Sequence, residues 1–448
     1  MESKATVVAT TPQEKVEWKL YHKRWFILFI FVCFEVGNNI QWIQYSIIAR
    51  LIILYYDVSE SAVDWTSMIF MVIFIPVVFP ASHFIEKVGL RWPMIIGTFA
   101  TAAGACIKIG SVDRDLFWVT FIGQTFAAIG QVFMLSIPPI IAAIWFGEKE
   151  VSTACSIGIF GNQLGIILGF FIPPMMVKDH SNVEDIGNDL RSVFYLIAGF
   201  NVAVFILTLI FFQNKPPMPP SPQQAMQKQN AAENDAGFFK VIKRLLLNKS
   251  YVLLVIGYCI NQSVLNAVGT LLNQIVTQYS YEDSEEFGGR IGATVVAAGL
   301  VGSIAFGIIL DKTRKYRLVT FIVYALSFLG MVAVTYTLPT KSEAAVYSTS
   351  AIFGFFLVAY MSIAYDLAVE VTYPEPESMS AGLITFTFQL VSWLATLGYG
   401  EMVRNVGAEW SNNTLSIALL IGTIIHAIFN PDLKRQAAVT SSTSSKEV

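Results

Sequence analysis

Gln163 and Gln389 each fall in the middle of a long apolar run, 226 positions apart. An amide buried in hydrocarbon without a hydrogen-bond partner costs about 2–7 kcal/mol, so its presence there needs a reason. Two at matching depth point either to one shared polar cavity or to two separate interhelical hydrogen bonds. A third polar stretch, "EVGNNIQWIQYSIIAR" from Glu35 to Arg50, interrupts another apolar run. Trp42 lies in it, away from the water–lipid boundary where tryptophan usually sits. Beside Gln41 and Gln44 it faces the same cavity or is a packed core ring. Gly37, Asn38 and Asn39 stand near the centre of the run and could loosen a helix there. Glu35, Asp366 and Glu370, with Glu401 further out, are acids within apolar segments. Such residues relay protons, form gates or make structural hydrogen bonds. The four histidines and four cysteines are scattered, so no metal cluster or outer disulfide framework is expected. Without a nucleophile–base set or a phosphate-cradling glycine loop, no catalytic residue, enzyme activity or cofactor is expected either.

The segments that must position these residues are membrane spans. The chain has 448 residues, 54% hydrophobic and only 14% charged, with a mean hydropathy of +0.58. A soluble protein of this size carries about 25% charged residues. Apolar runs long enough to cross a ~30 Å hydrocarbon core recur along the chain. They predict twelve spans, at roughly 25–55, 63–85, 92–111, 116–145, 151–176, 190–213, 249–277, 288–311, 317–338, 345–372, 378–403 and 412–430. The expected fold class is therefore an all-α polytopic membrane protein, with the lipid bilayer as its constant partner. An even span count puts both termini on one side, and 21 of the 29 Lys and Arg residues fall on that side. By the positive-inside rule both termini are cytoplasmic. These basic residues are topological and imply no nucleic-acid partner. Asn412, in "NNT", is an N-glycosylation candidate on the outer side.

"QNKPPMPPSPQQAMQKQNAAENDAG", Gln213 to Gly237, cannot bury a core and reads as a linker. "FFKVIKRLLL" after it reads as an amphipathic helix on the inner surface. The expected organisation is a tail at 1–24, a six-helix half at 25–213, linker and surface helix at 214–248, a second half at 249–430 and a tail at 431–448. The halves resemble each other. "SHFIEKVGLR" (82–91) and "GIILDKTRKYR" (307–317) place Glu86 and Asp311, 225 positions apart, before basic residues in a tight loop. That pattern resembles the loop signature of the major facilitator superfamily, though Ser82, Glu86 and Leu90 depart from it. The resemblance implies a twelve-helix fold of two six-helix repeats around a central midplane site. It also makes Glu86, Lys87, Arg91, Asp311, Lys312 and Arg314 gating residues.

Longer stretches narrow the family. "QWIQYSIIA" (41–49), "AVDWTSMIFM" (62–71), "EVSTACSIGIFGNQLGIILGFFIPP" (150–174), "GRIGATVVAAGLVGSIAFGIILD" (289–311) and "AVEVTYPEPESMSAGL" (368–383) resemble the feline leukaemia virus subgroup C receptor-related family. Its members are implicated in choline and ethanolamine transport and in haem export. The resemblance implies an aromatic cage for a quaternary ammonium, which has no N–H to donate and is held by ring faces. Trp42, Gln163, Gln389 and Met71 match the residues of that cage, and Asn39 is expected beside them. Asn266 stands where the family has a cage tyrosine, which leaves Tyr365 or Phe388 to supply the second ring.

The resulting expectation is facilitated uniport of a small organic cation, choline or ethanolamine, by alternating access. A haem exporter of the same family, or a non-transporting receptor or sensor, are the other readings. The expected setting is a monomer in the plasma membrane, with a mitochondrial membrane as the alternative.

Overall fold

A computed structural model of the chain describes residues 20–147, 150–218, 238–281, 283–375 and 377–434. Twelve transmembrane helices make up most of it, with no strand among the described residues. The first span joins α1 (Lys23–Ile43) to α2 (Ala49–Tyr56) through a 3-10 turn at Ser46–Ile48. Then come α3 (Glu60–Val88), α4 (Arg91–Ile109), α5 (Phe117–Ser136) with the short α6 (Pro138–Trp145), α7 (Val151–Met176) and α8 (Val183–Phe211). A short α9 (Phe238–Leu247) precedes α10 (Lys249–Gln278), α11 (Ser284–Thr313), α12 (Tyr316–Thr337), α13 (Glu343–Thr372), α14 (Glu377–Asn405) and α15 (Ala408–Ile428). Both described ends lie on one face of the bundle, called here the terminal face; the opposite one is the far face.

The chain folds this way because its helices satisfy their own backbone groups while apolar side chains face hydrocarbon. Outward residues such as Ile304, 66% exposed, have lipid as their environment. The first six spans pack mainly on one another, as do the last six. The two sets meet where α7 lies against α11 and α3 against α14.

The first span corrects one expectation. α1 runs unbroken through Gly37, Asn38 and Asn39 and breaks later, at Gln44 to Ile48. The asparagines do not loosen the helix, because their amides are used. Asn38 Nδ2 donates to Thr101 Oγ1 and the Ala127 carbonyl, at 3.0 and 2.8 Å, and Asn39 Nδ2 donates to the Glu35 carbonyl one turn back. Gly37 admits the Asn201 side chain, which a Cβ there would overlap.

The paired loops share a backbone feature. α3 ends on Gly89 at φ +83°, and α11 ends on Arg314 at φ 51°, again 225 positions apart. A Cβ at Gly89 would strike Asn214, whose Oδ1 accepts the Leu90 N–H at 2.6 Å.

Residues 1–19, 219–237 and 435–448, which hold most of the expected tails and linker, lie outside the described residues. The expected surface helix is present as α9, with Val241 and Leu245 buried and Arg244 paired to Glu375 at 3.0 Å. Because Asn214 anchors the first loop and the packed chain resumes at α9, deleting Pro217 to Asn230 is expected to leave membrane expression and transport near normal. Immunoblotting of membranes alongside an uptake assay checks this, and loss of folded protein would show that the segment packs.

Candidate functional site

The candidate site lies where the first six spans face the last six. On α7, Gly161, Gly165 and Gly169 let the helix close on α1, since a Cβ at each would meet Glu35, Asn39 and Ile43 respectively. Gln163 sits two residues from both Gly161 and Gly165, on the opposite face of the helix. Phe170 shares that opposite face, and its ring reaches Gly269 of α10 and Gly292 of α11. Gln163 therefore looks towards the last six spans.

α14 carries Gln389 between α3 on one side and α10 and α13 on the other. Phe386 and Trp393 on this helix meet Phe79 and Trp65 of α3, with ring centroids 5.2 and 6.4 Å apart. Ser392 bonds Ser263 of α10 at 3.0 Å, and Thr385 bonds Tyr365 of α13 at 3.0 Å. Gln389 lies between these two faces, pointing into the junction. Gln163 and Gln389 are only 7% and 5% exposed, yet neither amide is sealed off and neither hydrogen-bonds to a described residue.

Trp42 is half-buried, between the side of α1 that meets α5 and the side that meets α7, and it packs against Phe70 and Ala127. From the last six spans comes an aromatic group. Tyr365 stands edge-on to Tyr258 at 5.4 Å, Phe388 edge-on to Tyr258 at 5.7 Å, and the Tyr258 hydroxyl donates to that of Tyr365 at 3.3 Å. Asn266 shares a face of α10 with Gly269, which touches Phe170, and with Asn273, which accepts the Arg50 backbone N–H at 3.1 Å. It is half-buried and has no side-chain hydrogen bond to a described residue. Gln163 and Asn266 thus lie on the sides of α7 and α10 that Phe170 and Gly269 bring together, while Gln389 and Tyr365 belong to the neighbouring group on α13 and α14. Tyr258 was not anticipated; its signal was its place two turns before Asn266 on the same face.

Other expected site residues are placed differently. Asn39 and Met71 are each 2% exposed. Asn39 Nδ2 is held by the Glu35 carbonyl and its side chain packs on Gly165, so it braces α1 against α7, while its Oδ1 bonds to no described residue. Glu35 is buried at the same contact, whereas Asp366 is exposed and Glu370 is 9% exposed. Asn412 is 1% exposed inside α15, and its Oδ1 accepts the Tyr399 hydroxyl. A glycosylation acceptor must be reachable on the surface, so that expectation is corrected. Lys87, Arg91, Lys312 and Arg314 are exposed on the terminal face. The side chains of Glu86 and Asp311 lie outside those described.

What closes the far face was not read from the sequence. Arg404 Nη1 of α14 pairs with Asp64 Oδ2 of α3 at 2.6 Å, and Gln274 Nε2 of α10 donates to the other Asp64 oxygen at 2.6 Å. Arg50 pairs with Glu285 at 2.6 Å, and Lys178 with Glu286 at 2.8 Å. Each of these bonds joins the first six spans to the last six. Among the described residues, every ion pair between the two sets lies at this far end. The overlooked signal was that Arg50, Lys178 and Arg404 run against the basic bias of the terminal face. Lys108 is a further surprise, 1% exposed inside the first six spans, with Nζ donating to Gln124 at 2.8 Å.

Two six-helix sets that meet at an interior polar junction and are bolted at one end define a membrane transporter. Residues 19–396 match the Major Facilitator Superfamily. The chain is 41% identical over 429 residues to the choline/ethanolamine transporter flvcr2b of Danio rerio, covering 96% of this chain and 87% of that protein. It is 38% identical to choline/ethanolamine transporter FLVCR2 of Homo sapiens (95% and 81% covered) and 40% identical to choline/ethanolamine transporter FLVCR1 of Felis catus (92% and 74%). The chain belongs to the feline leukaemia virus subgroup C receptor-related family of the Major Facilitator Superfamily. Its fold is similar to that of the D-xylose-proton symporter, with a TM-score of 0.72 at 11% identity over 92% of this chain and 98% of that one.

Proposed function

We propose that this protein carries choline and ethanolamine through the membrane by alternating access, as a uniporter. The observation that carries the reading is the pair Gln163 and Gln389, nearly buried on helices of the two sets with amides that bond to no described residue. Trp42 on one side and Tyr365 with Phe388 on the other supply ring faces for a cation, each worth about 0.5–2 kcal/mol. The free amide oxygens then serve the substrate hydroxyl. The relatives named choline/ethanolamine transporter support the same substrate class. A haem iron at the junction would need a ligand there, whereas His22, His83, His180 and His426 all sit near span ends, and His426 has both ring nitrogens engaged, by Tyr360 and Gly422.

In this reading residues 25–213 and 249–430 rock about the junction. The three ion pairs at the far face support assigning this arrangement to the state closed on that side. The loops at Glu86–Arg91 and Asp311–Arg317 engage the neighbouring helix ends in the opposite state. Both termini are cytoplasmic, the protein is a monomer, and the membrane is the plasma membrane. A cation moving inward gains about 2.3 kcal/mol per 100 mV of membrane potential, so no coupling ion is required. Uptake of radiolabelled choline, ethanolamine and haem by cells lacking their own carrier tests this. Saturable uptake of the first two is expected, and a flux no greater than that of empty cells overturns it.

Asn266 sets the preference between the two substrates. Its amide can accept from the ammonium of ethanolamine, whereas choline has no N–H and gains only from a ring. Asn266→Tyr is expected to raise the choline-to-ethanolamine ratio of apparent affinities by about fivefold, the value of roughly one added cation–π contact of 1 kcal/mol. Competition uptake measures it, and an unchanged ratio removes Asn266 from the site.

A further inference from the structure

Away from the central junction, the terminal face holds a cavity of about 510 Å³ between the start of α12 and the end of α15. Arg314, Lys315 and Arg317 line it together with Asn430, and no Asp or Glu among the described residues does. Arg314 and Lys315 are exposed, and neither pairs with a described residue. Arg317 is anchored, with Nη2 donating to the Ala427 carbonyl at 3.2 Å. Three cations gathered with no ion pair to a described residue repel one another and favour an anion. The rest of the lining is largely apolar, including Leu318 and Phe321. Leu318 is 52% exposed and Ile428, at the adjoining end of α15, is 75% exposed, so this wall continues into the lipid-facing surface.

The repeat isolates the feature. In the first copy the positions matching Arg314 and Lys315 are Gly89 and Leu90, and Leu90 is fully buried against its own helices. The first copy, whose cations are Lys87 and Arg91, makes the same turn without a cation at either of these two positions.

We propose that this cavity binds the phosphate of an anionic phospholipid, with the headgroup on Arg314, Lys315 and Arg317 and the acyl chain along Leu318 and Phe321. A phosphate offers several acceptor oxygens to the guanidinium and ammonium donors. A free phosphate would use the cations but not the apolar wall.

Full-length protein in detergent, titrated with dioctanoyl phosphatidic acid while its thermal unfolding is followed, tests this. A saturable rise in unfolding temperature is expected, with no comparable rise from dioctanoylglycerol or inorganic phosphate at the same concentrations. Arg314→Gln/Lys315→Gln is expected to weaken the apparent affinity at least about tenfold, as loss of a charge-assisted hydrogen bond does. Arg314→Lys should stay within a fewfold of the parent, and Lys215→Gln, a cation elsewhere on this face, should not differ from it. If the double variant does not fold, Arg314→Gln and Lys315→Gln made singly carry the same comparison. An equal lipid response in parent and Gln variants overturns the site. A shift by inorganic phosphate alone assigns it to soluble anions, and one by dioctanoylglycerol to a merely apolar groove; either result overturns the lipid proposal.

Discussion

Trp42→Ala is expected to raise the half-saturating concentrations of choline and ethanolamine roughly 5- to 30-fold, the equivalent of about 1–2 kcal/mol of lost cation–π attraction. Trp42 is half-buried, so part of its ring is uncovered while part packs on the cluster of Phe70, Ala127 and Ala128. Trp42→Phe keeps a smaller ring at the same place and should fall between the parent and the alanine variant. Gln163→Ala and Gln389→Ala should each slow uptake without loss of protein from the membrane, because neither amide bonds to a described residue that the change would strand. A ring that only packs predicts a different pattern: poor membrane expression with alanine, and near-parent affinity with phenylalanine. Concentration-dependent uptake normalised to surface protein separates the two. A well-expressed Trp42→Ala protein with parental half-saturation would remove the cation cage from this chain.

The architecture was legible in the sequence because hydrocarbon imposes so few choices. Twelve apolar runs had to become helices, and the observed spans fall where the hydropathy put them. The polar residues on facing repeat positions were legible for the same reason, since Gln163 and Gln389 had no cheap alternative in lipid. Legibility ended where several polar residues shared a span. Trp42, Asn39 and Gln41 sit within one turn of each other, and only the packing shows that Asn39 braces α7 while Gln41 donates to the Thr101 carbonyl. Hydropathy also misread the span edges. Asp64 falls at the very start of the expected span 63–85, yet it lies a full turn inside α3 with its side chain 4% exposed. Its partner is Arg404, 340 positions away, a pairing that no local pattern could reveal.

That pairing carries the second large effect. Arg404→Ala is expected to open the far face and to lower the maximal transport rate far more than it changes half-saturation. With Arg404 gone, Asp64 keeps only Gln274 among its present partners, in a place almost closed to water. Removing one partner of a buried ion pair costs about 3–5 kcal/mol. The bond crosses between the two sets of helices, so the cost falls on the far-closed state and not on the folding of either set. The balance between the closed and open states then shifts by roughly 10²-fold to several thousandfold. Gln163 and Gln389 are untouched, which is why affinity should hold better than turnover. Spin labels at Glu60→Cys and Glu409→Cys, both exposed at the far face on opposite sets, report the change as a longer distance once the four native cysteines are replaced. The exchange Asp64→Arg/Arg404→Asp should recover part of both the distance and the rate, since it restores the pair, while Asp64→Asn/Arg404→Gln should lie above Arg404→Ala because it leaves no stranded charge. If Arg404→Ala keeps the parental distance and rate while reaching the membrane normally, the ion pair does not hold the gate. Closure would then rest on Arg50 with Glu285 and on Lys178 with Glu286, both more exposed than Asp64 and both more readily screened by salt.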